Sequence, residues 1–175
     1  MNCTAIVLAA GQGKRMKSKI QKQFLLLKGK PVLFYSISCF EKSSEIDDII
    51  IVTGAESVEY VKREIVEPFG FQKVKAVVTG GKERYDSVYE GLKACQNCDY
   101  VFIHDGARPF VTEEMIERGK KAVIAGGACV LGVPSKDTVK ITDEEGFVES
   151  TPKRARVWNI QTPQIFSYPE IYSAY

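Results

Sequence analysis

Residues 8–16 read Leu-Ala-Ala-Gly-Gln-Gly-Lys-Arg-Met, an apolar run that turns on two glycines and at once presents two cations. Small residues in such a turn let backbone N–H groups come close to an oxyanion, and Lys14 and Arg15 add positive charge. That combination suits a polyphosphate. Two better-known glycine loops do not fit: the P-loop needs Gly-Lys-Ser/Thr after four intervening residues, and the dinucleotide fingerprint needs a third glycine at position 16, where Met16 stands. Any tight strand-to-helix turn can share this composition, so the loop alone leaves a structural role open. Lys22 follows, closing a short basic segment with Arg15, Lys17 and Lys19 that also has the look of a solvated face.

A second candidate is His104-Asp105-Gly106-Ala107-Arg108-Pro109, directly after the apolar stretch 100–103. Ligands of open α/β sheets bind outside the carboxyl ends of the strands, so Asp105 is placed to face the same crevice as the glycine loop. Mg²⁺ takes one or two carboxylates together with phosphate oxygens, which makes Asp105 a candidate metal ligand; a simple turn-forming Asp is the other reading. His104, the sole histidine, is one alternation out of phase with Asp105 and is expected to pack or orient rather than act as a base. The third candidate, Gly80-Gly81-Lys82-Glu83-Arg84-Tyr85-Asp86-Ser87-Val88, enters a helix after a strand. Helix N-termini offer free N–H groups to anions or base edges, although a capped turn explains the same residues.

The elements that must position these residues alternate regularly. Near-continuous apolar runs at 4–9, 48–53, 74–78, 100–104 and 128–133 read as strands buried on both faces. Amphipathic stretches at 32–40, 58–66, 84–94 and 113–124 read as the helices between them, with Thr112 as N-cap of the last and Glu113 and Glu114 in its first turn. This βα alternation predicts an α/β fold: a Rossmann-like three-layer sandwich with a mostly parallel sheet. After Pro134 the pattern changes. Residues 138–142 alternate, Asp143-Glu144-Glu145-Gly146 is turn chemistry, and 147–149 can return as a second strand, which predicts a projecting β-hairpin. An isolated two-stranded hairpin is marginal in water, so this one is expected to pack on something, with a partner subunit a reasonable candidate.

Composition narrows the classes. The 175 residues fit one domain on a prior of roughly 100–200 residues each, and no repeat or linker divides them. A formal net charge of +2 argues against a nucleic-acid stripe or a membrane-binding face. The N-terminal apolar run lacks a basic lead and stops at Gly11, and no span approaches the length of a membrane helix, so no membrane association and a cytoplasmic location are expected. Five cysteines in such a chain do not suggest a disulfide framework. Cys95 and Cys98 form a CxxC with no second pair or His cluster at zinc spacing, and they follow a helix end rather than preceding a helix start, so a structural or incidental role is expected.

In order along the chain, the segments 9–16, 21–24, 80–88, 104–109, 137–140 and 161–166 resemble the methylerythritol phosphate cytidylyltransferase family: Ala-Ala-Gly-x-Gly-x-Arg-Met, Lys-Gln-Phe, Gly-Gly-x-x-Arg-x-x-Ser-Val, His-Asp-Gly-Ala-Arg-Pro, Asp-Thr-Val-Lys and Gln-Thr-Pro-Gln-Ile-Phe. One departure is Gln21, where the family usually has proline. The resemblance implies that the 4-phosphate of methylerythritol phosphate attacks the α-phosphorus of CTP, with Mg²⁺ and no covalent enzyme intermediate, in non-mevalonate isoprenoid synthesis. It implies Arg15 and Lys22 as transition-state cations and Gly11 and Gly13 around the triphosphate. Ala9, Ala10, Gly81 and Ser87 would border the cytosine and ribose, with Lys82 where the family often has an acidic residue, and Asp105 would hold the metal. For the acceptor the matching positions are Arg108, Thr138, Arg154 and Thr162. The hairpin, residues 135–158, would be an arm exchanged in a homodimer, so that Thr138 and Arg154 complete the partner's site.

The family continues beyond Tyr175 with a segment that carries a second metal-binding Asp and a Lys near the acceptor phosphate. The single nucleotidyltransferase domain of 1–175 is thus expected to be C-terminally incomplete, and to bind nucleotide while turning over poorly, since such groups are each worth about 10²–10³ in rate. Ribitol-5-phosphate cytidylyltransferase shares the CTP site and the reaction; Thr138-Val139-Lys140 and Gly106-Ala107-Arg108 lean toward methylerythritol phosphate. A nucleotide-binding, dimerising module without catalysis is the alternative of another class. An NAD-dependent oxidoreductase has only the βα pattern in its favour and lacks the third glycine.

Overall fold

The computed structural model describes residues 1–11 and 20–175. Strand β1 (Cys3–Ala9) is followed by a small hairpin of β2 (Leu26–Leu27) and β3 (Lys30–Pro31), then α1 (Val32–Lys42) and β4 (Asp48–Thr53). Next come α2 (Val58–Val61) and α3 (Glu67–Phe69), joined by a π-helical turn at Lys62–Val66, then β5 (Val74–Thr79), α4 (Arg84–Ala94) and β6 (Tyr100–Asp105). The chain closes with α5 (Glu113–Gly126), β7 (Ala128–Pro134), β8 (Ile141–Thr142), β9 (Val148–Ser150), β10 (Trp158–Ser167) and α6 (Tyr168–Ala174). Six strands form the main sheet in the order β5-β4-β1-β6-β10-β7.

Strands β5, β4, β1 and β6 run parallel, as the alternation predicts. Because successive side chains point to opposite faces, Ala5, Val7, Ile49, Ile51 and Phe102 join one core with Leu33, Ile37 and Phe40 of α1 and Ile116 and Val123 of α5. Ile6, Ile50, Val52, Val101 and Ile103 join the other with Val88 and Leu92 of α4. Helices thus cover both faces, which gives the expected three layers, and each fully buried Ile or Leu contributes about 1.5–3 kcal/mol. The outer strands β5 and β7 differ from the expectation of burial on both faces: they stand at or near the sheet's edges and are only partly covered.

Strand β10 has no counterpart in the strands read from sequence. It lies antiparallel between β6 and β7, with a register shift between Ile160 and Gln164 where Pro163 cannot donate to a ladder. The helix expected over 58–66 runs on to Phe69, its π-helical turn falling just before Pro68, where the regular hydrogen bond is missing, and Gly70 ends it at φ +65°. The hairpin is shorter than expected. Only Ile141 with Ser150 and Thr142 with Val148 pair, while residues 138–140 carry no ladder. Its turn is held by Asp143, whose Oδ1 accepts from the Glu145 and Phe147 amides, with Gly146 at φ +91°. The segment leaves the sheet at Pro134 and returns at Trp158, which pair with each other, and its Ile141, Phe147 and Val148 are exposed. Thr112 caps α5, accepting from the Met115 amide at 3.3 Å.

Candidate active site

The chain goes outward from β1 to β4 and β5, then crosses back to β6 on the other side of β1. That reversal opens a crevice at the carboxyl ends of β1 and β6, the place where a ligand meets loops rather than packed side chains. A cavity of about 290 Å³ lies there, lined by Ala9, Ala10, Gly11, Lys22, Gly81, Lys82, Ser87 and Asp105 among others. Every described residue expected on the nucleotide and metal side is therefore brought to one cavity. Gly13 and Arg15, with the rest of 12–19, lie outside the described residues.

Local chemistry explains the placement. The 3₁₀ turn Lys22–Phe24 sends Lys22 outward and Gln23 inward. Gln23, 1% exposed, donates from Nε2 to the carbonyls of Ala9 at 2.6 Å and Gly11 at 3.1 Å, pinning the start of the glycine loop. The helix α4 starts later than the glycine pair: Glu83 is its N-cap, and Glu83 and Asp86 form a reciprocal capping box, the Glu83 amide donating to Asp86 Oδ2 at 2.9 Å. The first amides of α4 are thus partly satisfied from within. Gly81 has another reason to be glycine, since a Cβ there would lie 2.2 Å from Asp86 Cβ. Ser87 is buried and donates its hydroxyl to the Glu83 carbonyl at 3.1 Å.

At the end of β6 a hydrogen-bonded chain fixes the Asp105 turn. The Asp105 amide donates to Thr162 Oγ1 at 3.2 Å, and Thr162 Oγ1 lies 3.0 Å from His104 Nδ1. His104 Nε2 lies 3.1 Å from the Arg108 carbonyl, an obligate acceptor, which assigns the proton to Nε2 and leaves Nδ1 to accept from Thr162. Ser36 of α1, fully buried, donates to the Gly106 and Arg108 carbonyls, each at 3.2 Å. A Cβ on Gly106 would lie 2.7 Å from Leu33 Cδ1. His104 accordingly packs and orients, with a ring-edge contact to Phe40 at 5.3 Å. Burial pushes its imidazole down to about 4 from the ordinary 6.5.

This neutral histidine has a measurable signature. Below pH 6.5 an unfolded chain takes up the His104 proton while the folded one does not, so its contribution is complete above pH 6.5 and drains as pH falls toward 4. The loss amounts to roughly 3 kcal/mol over that window. Urea midpoints from pH 7 to 4.5 are expected to fall more steeply for the wild type than for His104→Gln; parallel slopes would show that the histidine is not buried neutral.

Asp105 is bound by two guanidiniums. Arg84 reaches Oδ1 from the first turn of α4, and Arg108 Nε donates to Oδ2 at 3.0 Å. Arg108 Nη1 also donates to Gln161 Oε1 on β10. Arg108 and Thr162 line a neighbouring cavity of about 550 Å³, and Ala107 borders both cavities. Thr138 and Arg154 line neither; both are exposed on the segment between β7 and β10, Arg154 in a 3₁₀ turn. Gln23, Ser36 and Arg84 were given no role by sequence reasoning, although Gln23 and Arg84 stand inside quoted motifs. Cys95 and Cys98 sit at the other end of the sheet, each donating to a backbone carbonyl, of Gly91 at 3.4 Å and Tyr100 at 3.1 Å. The neighbouring Cys98 and burial push the Cys95 thiol up.

Adjoining cavities at the switch point of a mostly parallel sheet, one lined by Ala9, Ala10, Gly11, Lys22 and Asp105 and the other by Arg108, fit an α/β enzyme of the nucleotidyltransferase class. The model of one such family, 2-C-methyl-D-erythritol 4-phosphate cytidylyltransferase, matches residues 3–175, and the chain belongs to that family. A relative of that name from Lachnoclostridium phytofermentans is 54% identical over 172 residues, covering 98% of this chain and 73% of its own length. One from Clostridium kluyveri is 50% identical over 171 residues, covering 98% and 74%. The crystal structure of 4-diphosphocytidyl-2C-methyl-D-erythritol synthase from Anaerococcus prevotii superposes with a TM-score of 0.86 at 36% identity, covering 98% of this chain and 72% of that one.

Proposed function

We propose that the chain transfers CMP from CTP to 2-C-methyl-D-erythritol 4-phosphate, giving 4-diphosphocytidyl-2-C-methyl-D-erythritol and pyrophosphate in non-mevalonate isoprenoid biosynthesis. The observation that carries this is the single cavity holding the loop residues Ala9–Gly11, Lys22, Gly81, Ser87 and Asp105, in a chain of this family. An acceptor phosphate oxygen attacks the α-phosphorus in line, and the bond to the β-phosphate oxygen breaks with its electron pair leaving on pyrophosphate. Such a step asks for alignment and preorganised positive charge. We assign the charge to Lys22 and Arg15 and the triphosphate to Gly11 and Gly13; Ala9, Ala10, Gly81, Lys82 and Ser87 border base and ribose. Arg108 and Thr162 face the acceptor.

Mg²⁺ fits the donor set, because one carboxylate, Asp105, beside a phosphate cavity is the arrangement this hard cation takes. When bound it would neutralise charge on the triphosphate. We also infer a homodimer through the 135–158 arm, supported by its exposed Ile141, Phe147, Val148 and Trp158, which need cover from water. Thr138 and Arg154 would then reach the partner's acceptor cavity. Among the described residues no helix is long and apolar enough to cross a membrane. The charged, water-soluble substrates suit the cytoplasm.

Pyrophosphate release from CTP and Mg²⁺ tests the reading, with methylerythritol 4-phosphate, ribitol 5-phosphate or no acceptor. Release that depends on methylerythritol 4-phosphate is the expected result. Preference for ribitol 5-phosphate would replace the acceptor, and nucleotide binding without release would leave a binding module.

A further inference from the structure

Arg84 reaches across the crevice floor in a way that the binding of phosphates alone does not explain. Its Nε and Nη2 each lie 3.3 Å from Asp105 Oδ1, and Nη2 lies 3.0 Å from Gln164 Oε1 on β10. Arg108 occupies the other carboxylate oxygen. Two positive charges therefore converge on one negative charge. A divalent cation placed on Asp105 by itself would meet uncompensated like charge within a few ångströms, whereas one carried in on a triphosphate brings more negative charge than its own positive charge.

We propose that Arg84 is a positioning residue that denies Asp105 to a free divalent cation and yields it to a cation arriving on a nucleoside triphosphate. This rests on the reading that the crevice takes CTP with a divalent cation at Asp105. Arg84 rather than Arg108 has this role because Arg84 lines the nucleotide cavity beside Lys22 and Ser87. Arg108 is a near neighbour of Asp105 in sequence, lines the adjoining cavity and is anchored by Gln161. The backbone of Arg84 is fixed by the Glu83–Asp86 capping box, and its half-exposed side chain is free to pivot from the carboxylate to the phosphates without unpacking the core. Gln164, a neutral acceptor, steadies the guanidinium beside Asp105 without competing for the cation.

Mn²⁺ binding, followed by loss of the free-ion electron paramagnetic resonance signal, tests this with the wild-type chain, Arg84→Gln, Arg84→Lys and the double variant Arg84→Gln/Asp105→Asn. Without nucleotide, Arg84→Gln is expected to bind Mn²⁺ roughly tenfold more tightly than wild type, a modest factor because the pair is solvent-screened. Arg84→Lys keeps the charge and is expected to stay near wild type, and the double variant should lose the gain. Equal Mn²⁺ affinity in wild type and Arg84→Gln overturns the proposal, as does a gain that survives in the double variant. CTP titrated into the wild type by calorimetry separates the two levels: no CTP binding overturns the underlying reading instead.

Discussion

Lys22→Ala is expected to slow acceptor-dependent pyrophosphate release on the order of 10²–10³-fold, the usual cost of removing one preorganised group aimed at developing charge. The 3₁₀ turn at Lys22–Phe24 separates function from packing: Gln23 is buried under the loop, while Lys22 is exposed and lines the cavity. Removing the lysine therefore deletes charge without opening a hole, and the thermal midpoint should stay within a degree or two of wild type, as for other surface changes. Arg in its place should recover part of the rate, since it keeps the charge but spreads it over a planar fork. Steady-state kinetics on the three proteins, with melting curves alongside, decide the matter. An unchanged rate in Lys22→Ala would remove the residue from the machinery, and a lowered melting point would mean that the turn itself had been disturbed.

The parts of this molecule that were legible in sequence share a physical cause. Strands β1, β4 and β6 are buried on both faces, so their residues form unbroken apolar runs, and α4 and α5 present one apolar side to the sheet. Strand β10 was missed because its polar middle, Gln161-Thr162-Pro163-Gln164, hides any period, and its place depends on pairing with β6 and β7, both distant in the chain. At the site, glycines and charged residues at strand ends advertised the crevice. What they could not show is who meets whom: Arg84 finds Asp105 21 residues away and Gln164 80 away, and Ser36 reaches Gly106 across 70. Thr162 was read as an acceptor contact, and its hydroxyl also links the Asp105 amide to His104. Gln23 sits in a run that looks solvated, and only the fold turns its amide onto the loop carbonyls.

Arg108→Ala is expected to lower kcat/KM for the polyol phosphate by on the order of 10²-fold or more while leaving CTP affinity within a few-fold of wild type. The turn that carries Arg108 is secured through its main chain: its carbonyl accepts from His104 Nε2 and Ser36 Oγ, and its amide donates to the Asp105 carbonyl at 2.9 Å. Truncating the side chain leaves those bonds in place, so the loss is one of charge and aim rather than of fold. The guanidinium stands between Asp105 and Gln161 at the cavity beside the nucleotide crevice, where a fork of donors matches the oxygens of a phosphate monoester. Lysine offers a point charge on a flexible stem and should restore little of that alignment. Varying the acceptor at saturating CTP, with CTP binding measured separately, distinguishes the possible sites of action. A defect confined to CTP affinity would move Arg108 to the nucleotide side, whereas a defect that grows as acceptor concentration falls and vanishes at saturation would make it a binding group for ground state and transition state alike.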